Sequence, residues 1–289
     1  MIIKIADNIH EHIQQLEYLS SLDLASSQLK QVHLWLKSLK HDAQVEQNSA
    51  YFIDHHFGDR SDWAIIHQLR LWQGSYLIQP SHLLINTHLQ CFFFKSKSFH
   101  PGLTITSDGT FQVVSPKGYR IIESPLAQNE KQKVALSTFI SNKGIQARKL
   151  FKPLNPMFID SVLVPSSSFI RRPQRSSLNV NHIIHADQVA EFIDAQQASL
   201  PTTKAKVSSK KLKQFAETLA SYHSPIQADY FQRLGITQRE EVKKKPESQY
   251  QCAKCNIGIS ETVARFCLKH VKRFKGKKYC YSCQQFYST

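Results

Sequence analysis

The sequence predicts an α/β domain followed by a small cysteine-rich metal module, and three observations predict it. Short β-branched and aromatic runs alternate with helical stretches up to about residue 200. Five of the six cysteines fall within the last 38 residues. Between the two parts lies Thr237-Gln238-Arg239-Glu240-Glu241-Val242-Lys243-Lys244-Lys245-Pro246-Glu247-Ser248, which has no apolar periodicity and a central proline, the texture of a linker.

The first part justifies itself element by element. Residues 1 to about 50 read as helical, with Val32, Leu34, Leu36 and Leu39 among polar neighbours and no Gly/Pro breaker. From Ala64 the runs become strand-like: Ala64–Ile66, Tyr76–Ile78, His82–Ile85 and Leu89–Phe94. Leu103–Thr106 and Thr110–Val114 flank Asp108-Gly109, a hairpin signal because glycine accepts positive φ. Helices are expected over 127–142, Ala186–Gln197 and, strongly basic, 206–221, with one more strand over Phe158–Val164. The lone Cys91, among phenylalanines, reads as a buried thiol.

Composition narrows the function. With 289 residues, 41% of them hydrophobic and 20% charged, the chain can bury an ordinary core. Lys and Arg number 37 against 22 Asp and Glu, a formal charge of +15, which makes a polyanion the default partner and nucleic acid the commonest one. No stretch approaches the ~18 apolar residues of a membrane span, and the first residues lack a signal peptide's apolar core. The expectation is a cytoplasmic protein with no membrane partner. None of the nine glycines forms Gly-x-Gly or the phosphate-loop pattern, which excludes the usual dinucleotide and P-loop sites.

The tail carries the sharpest motif. Cys252-Ala253-Lys254-Cys255 is followed after 24 residues by Cys280-Tyr281-Ser282-Cys283. Each Cys-x-x-Cys offers two thiolates from one tight knuckle, and two knuckles complete a tetrahedral shell suited to structural Zn²⁺. Cys267 and His270 could close an alternative shell. However, Ser260-Glu261 looks like a helix start, and Val263, Phe266, Cys267, His270, Val271 and Phe274 recur at helical spacing, which makes both inner-face core residues. Lys269, Lys272, Arg273, Lys275, Lys277 and Lys278, with Phe274 and Tyr279 interleaved, form a pattern suited to phosphate contacts and base stacking.

Four stretches of the first part, taken in order, resemble the nuclease-related (NERD) domain, a branch of the restriction-endonuclease-like fold. They are Trp63–Leu71, Ser81–Asn86, Phe94–Phe99 and Ser124–Glu130, and the tail from Ile259 to Gln284 is similar to the zinc ribbon that accompanies some of these domains. The resemblance implies a mixed sheet flanked by helices, with two acids and a lysine holding a divalent metal. The family's acids are missing at the matching positions: Gln68, Ser81 and Lys95 stand there, and only Lys97 matches. Replacing a metal-ligating carboxylate by an ammonium repels the ion, whereas Lys95 and Lys97 still attract phosphate. Acids on neighbouring elements, Asp59, Asp62, Glu123 or Glu130, are the available replacements. Asp54-His55-His56 imitates a phosphoesterase motif but lacks its upstream Asp-x-Asp, and both histidines read as loop residues after a helix.

Three parts are therefore expected: a nuclease-related α/β domain with N-terminal helices over 1–200, a helical connector and basic linker over 201–250, and a zinc ribbon over 251–289. The function expected is nucleic-acid binding, DNA first, by a domain without nuclease chemistry, as a subunit beside other proteins in a DNA-processing or defence assembly. The alternatives are an active metal-dependent nuclease with relocated acids, and a scaffold using its basic tail on an acidic protein.

Overall fold

The computed structural model describes residues 1–115, 118–149, 152–174, 179–199, 206–236, 250–255, 257–284 and 287; the linker expected at 237–248 lies outside them. The chain divides into two compact units, residues 1–9 with 38–227 and residues 10–37 with 228–289.

The first unit is built on a six-stranded mixed sheet. Its strands are β1 (Ile2–Lys4), β2 (Trp63–His67), then, past the small hairpin of β3 (Leu71–Gln73) and β4 (Tyr76–Ile78), β5 (His82–Asn86) and β6 (Gln90–Ser96). A second, four-stranded sheet takes β7 (Gly102–Ile105), β8 (Phe111–Ser115) and β9 (Gly118–Ile122). After the β10 (Ala147–Lys149) and β11 (Lys152–Leu154) pair come β12 (Met157–Val164), β13 (Phe169–Arg171), which joins the second sheet, and β14 (Ile183–His185). The main sheet runs β1-β2-β5-β6-β12-β14, antiparallel from β2 to β6 and parallel at both edges.

Both faces of this sheet are covered, which explains why its strands read as unbroken apolar runs. On one face Ala64, Ile66, Leu83, Cys91 and Phe93 pack with residues of the helices over Pro125–Asn142 and Ser209–Ala220. On the other, Trp63, Ile65, Leu84, Phe92 and Phe94 pack with Ile53 and Phe57 from the helix over Ser26–Phe57 and with Val189 and Ile193 from that over Val189–Ser199. In chain order the helices are α1 (His10–Ser21), α2 (Ser26–Phe57), α3 (Pro125–Asn142), α4 (Val189–Ser199), α5 (Ser209–Ala220), α6 (Tyr230–Arg233), α7 (Glu261–Lys269), α8 (Val271–Phe274) and α9 (Tyr281–Gln284). The Ser124 hydroxyl accepts the Ala127 N–H to start α3, and Ser208 does the same for α5 with Lys211.

Several expectations change. Residues 2–4 are not helical: they add the edge strand β1, parallel to β2. His55 and His56 close the last turn of α2 rather than a loop. The basic helix expected as a connector buries Leu212, Phe215 and Leu219 in the same core as the sheet. Asp108-Gly109 does turn β7 into β8, with Gly109 at φ 85°. Gly102 is required by close approach: a Cβ there would lie 2.4 Å from the Phe169 ring, its cross-strand neighbour. Cys91 is fully buried, and burial pushes its thiol pKa up.

In the second unit, α1 and the start of α2 bury Leu16, Leu19, Leu22 and Val32, and Tyr230 of α6 lies against His12 and Trp35. A small hairpin, β15 (Tyr250–Gln251) with β16 (Gly258–Ile259), opens the cysteine module. Its core is Cys252, Ile259, Val263, Ala264, Cys267, Phe274, Tyr279 and Cys283.

Candidate functional site

At one end of the main sheet, the close of β2, the approach to β5 and the end of β6 carry Gln68, Ser81, Lys95 and Lys97. They meet Glu46, which α2 supplies from its inward stripe of Glu46, Ser49 and Ile53. The Glu46 carboxylate accepts the Ser81 hydroxyl at 2.6 Å and the Gln68 amide at 2.5 Å. The other end of the Gln68 amide accepts the Asp7 N–H at 2.8 Å, which fixes the amide's orientation. Gln68 itself lies at φ 50°, a left-handed conformation uncommon outside glycine, and its own N–H donates to the Ser81 carbonyl at 2.8 Å.

The cleft over these residues measures ≈ 390 Å³ and is walled also by Asp7, Asp42 and Arg70. A second hollow of ≈ 320 Å³, lined by Tyr76, Glu123, Gln128 and Lys131, shares Gln79, Lys95 and Lys97 with the first. The Lys95 ammonium donates to the Gln79 carbonyl at 3.1 Å, and Lys97 to the Gln128 side chain. Burial lowers the pKa of Lys95, with Glu46 and Asp42 opposing, and burial next to Lys95 lowers that of Lys97. Burial also lowers the Arg70 pKa, opposed by Asp7. The cleft thus mixes three cations with three carboxylates rather than presenting a uniform basic patch.

From Ser96 at the cleft a polar chain runs through the buried His82 and His67 to the part-exposed Asp54. Asp54 accepts from Nε2 of His67 at 3.0 Å, Nδ1 of His67 faces Nδ1 of His82 at 2.8 Å, and Nε2 of His82 faces the Ser96 hydroxyl at 3.2 Å. Full burial, then His67 and Lys95, hold the His82 pKa well below its ordinary value, so His82 is neutral. The neutral His82 carries one ring proton, so of its two contacts, to His67 and to Ser96, it donates in one and accepts in the other. The Ser96 N–H in turn donates to the Ser81 hydroxyl at 3.1 Å, joining this chain to Glu46.

Residues 41–165 match the family model of the nuclease-related domain. No curated protein and no solved structure matches the chain.

The nuclease-related span contains Glu46, Gln68, Ser81, Lys95 and Lys97, and also the whole Asp54–Ser96 chain. The acids expected as replacements are not those of its cleft. Asp62 pairs with Arg60 and Glu130 with Lys133, Glu123 lines only the second hollow, and Asp59 lines neither. Asp7, Asp42 and Glu46 line the cleft instead. The signal for Glu46 was present in the sequence as an acid on a helix's apolar stripe, one turn before Ser49. His67 and His82 carried no comparable signal, because their contact depends on the β2–β5 register.

In the cysteine module, the sulfurs of Cys252, Cys255, Cys280 and Cys283 lie within 4.8 Å of one another, with Cys255 and Cys280 at 3.6 Å. Thiolates in a tetrahedral shell at ~2.3 Å from an ion stand about 3.8 Å apart, so these four could hold one metal ion. Burial raises the Cys252 thiol, but N–H bonds from Cys280, Lys254 and Cys255 outweigh it and bring it down to about 6. Burial and the neighbouring thiols push Cys283 up to about 12. Cys267 stands apart: its sulfur accepts the Tyr279 N–H and the Gln284 amide, both at 3.3 Å.

The six cations expected to meet phosphate divide. Lys269, Lys275 and Lys277 are exposed, whereas Lys278 lies over the Tyr250 ring and Arg273 donates to the Tyr287 and Gln284 carbonyls. The side chain of Lys272 lies outside the described residues. The aromatics expected to stack on bases are core instead, Phe274 at 1% and Tyr279 at 5% exposure, because α8 and the following turn wrap them under α7. His270 is exposed, not an inner-face residue; it ends α7, and its ring rests on Phe266. Among the described residues no helix is long and apolar enough to cross a membrane.

Proposed function

We propose that this chain binds nucleic acid through a nuclease-related cleft that holds a phosphodiester strand without cutting it, assisted by a basic, zinc-binding C-terminal module. One observation carries the reading: at the positions where the family has metal-ligating acids, Gln68 and Ser81 are hydrogen-bond donors to Glu46. A carboxylate engaged by two donors and faced by Lys95 is a poor partner for a hard divalent cation. Lys95, Lys97 and Arg70 supply phosphate contacts there, and Lys269, Lys275 and Lys277 add sequence-independent affinity from the tail. Zn²⁺ fits the four cysteines by ligand softness and count, and when bound it supplies the folding energy of a module with a small core.

A chain of this kind is a binding subunit, and DNA is the polymer tested first. The decisive experiment incubates zinc-loaded protein with labelled duplex and single-stranded DNA, with Mg²⁺ and separately Mn²⁺, and reads binding on a native gel and cutting on a denaturing one. Retarded but intact DNA is the expected result. Divalent-metal-dependent cutting that disappears in Lys97→Ala overturns the reading.

A second reading has an observation of its own. Asp7, Asp42 and Glu46 wall the cleft, and an active nuclease with relocated acids would draw on them. It predicts cutting that is lost in Glu46→Gln as well as in Lys97→Ala.

A further inference from the structure

The cysteine module hides the aromatic rings expected on its surface and presents others. On α7 the buried stripe is Val263, Ala264 and Cys267, and Phe266 lies off it, 41% exposed. The Phe266 ring does not stand alone. The His270 imidazole packs against it at 4.4 Å between centroids and 34° between planes, and its Nδ1 lies 3.0 Å from the Phe266 carbonyl. That bond holds the imidazole against the phenyl ring, whose inner neighbour is the buried Phe274 at 6.1 Å between centroids, and Phe266 and His270 both remain exposed. Tyr281, inside the second knuckle, is 72% exposed. In the same module Lys269, three residues along α7 from Phe266, and Lys275 and Lys277 are exposed, and Arg265 is paired with Glu261, the module's single acid.

Exposed apolar side chains scattered singly need no explanation. A fixed aromatic pair within a module of eight Lys/Arg and one Asp/Glu from Cys252 onward is different. A flat ring face beside cations matches a polymer that offers flat π-faces joined by phosphates. Only unpaired bases offer such faces, since a duplex keeps its bases stacked on one another. We infer that the C-terminal module binds single-stranded nucleic acid, with bases stacked on the Phe266–His270 pair and on Tyr281 and phosphates on Lys269, Lys275 and Lys277.

This rests on the nucleic-acid-binding reading above and adds strandedness and the contact residues to it. The test uses the full zinc-loaded chain and fluorescence anisotropy with labelled oligothymidylate, oligouridylate and a hairpin duplex of equal charge. The expected result is that Phe266→Ala weakens single-strand binding roughly 5- to 150-fold, the range for losing one base–aromatic stack. Duplex binding changes less than about twofold on the same scale, Phe266→Trp retains the single-strand affinity, and the zinc content is unchanged. The two single strands then separate a deoxyribose from a ribose source for the same chemistry. Should Phe266→Ala lose zinc, His270→Ala gives the same reading from the other ring of the pair, with zinc content measured on each variant. Equal binding of strand and duplex, unaffected by either substitution, overturns the inference while leaving nucleic-acid binding intact. No binding to any of the three overturns both. Phe266-dependent binding to an acidic peptide or anionic vesicle, without strand binding, also overturns it.

Discussion

Glu46 is the residue on which the cleft turns, and its removal has a calculable consequence. In Glu46→Ala the Ser81 hydroxyl and the Gln68 amide lose an ionised acceptor at 2.6 and 2.5 Å. Hydrogen bonds to a charged group contribute about 1.5–3 kcal/mol each. Glu46 is only part-buried and water enters the emptied space, so the lower half of the sum applies, a loss of about 3 kcal/mol. Gln68 cannot turn to find another acceptor, because its carbonyl is held by the Asp7 N–H. Glu46→Gln keeps the shape but leaves one acceptor oxygen, which the Gln68 amide retains, while the Ser81 hydroxyl must turn to accept from the new NH2; the change costs about 1–2 kcal/mol. Both variants remove a negative charge beside Lys95, so DNA affinity should rise a few-fold at low salt. Urea unfolding followed by tryptophan fluorescence measures the first effect, since Trp63 lies in the core over the same sheet. Two results would refute the reasoning: a Glu46→Ala protein as stable as the parent, or Mn²⁺ stabilising the parent but not Glu46→Gln, which would make this carboxylate a metal ligand.

Three further outcomes are expected. His82 is neutral and fully buried, with its pKa held well below the unfolded value by burial first; its contribution is complete above pH 6.5 and is lost as pH falls and the unfolded chain takes up a proton. Relative to His82→Gln, the parent should lose about 1 kcal/mol between pH 7.5 and 5.5, measured as the difference of two urea curves, and parallel pH profiles would contradict this. Gly102→Ala drives a methyl into the Phe169 ring and should cost about 1–3 kcal/mol, seen as an earlier urea midpoint; an unchanged midpoint would mean that Phe169 moves aside freely. Finally, native mass spectrometry should find one zinc per chain, lost in Cys280→Ser, and chelation should abolish protease resistance around α7 without altering the melting of residues 38–227.

Much of this was legible in the sequence for physical reasons. β2, β5 and β6 lie between two helical layers, so their centres read as apolar runs. The paired Cys-x-x-Cys knuckles announce themselves by local spacing alone. What escaped depends on long-range geometry. β1 is three residues long and is a strand only because the β2 edge accepts it. Helical spacing ran unbroken from Val263 to Phe274, but the chain turns at His270, which exposes Phe266 and buries Tyr279. The His67–His82 contact follows from a register that places the two opposite each other, and no single-strand pattern encodes a register. Sequence proximity points to Asp59, Asp62, Glu123 and Glu130, whereas the acids at the cleft arrive from α2 and the N-terminal segment.

The four-cysteine cluster has a consequence for how binding experiments on this protein are controlled. Four thiolates around a divalent ion carry two net negative charges, set in a stretch whose side chains otherwise sum to eight positive and one negative. Stripping the metal reprotonates most of the sulfurs, so the module becomes more cationic as it loses its shape. Metal-free protein should therefore still cling to any polyanion, indifferently and with a steeper dependence on salt. It makes a poor blank: the informative comparison is selectivity at fixed ionic strength, which the loaded module is expected to show and the stripped one to lose.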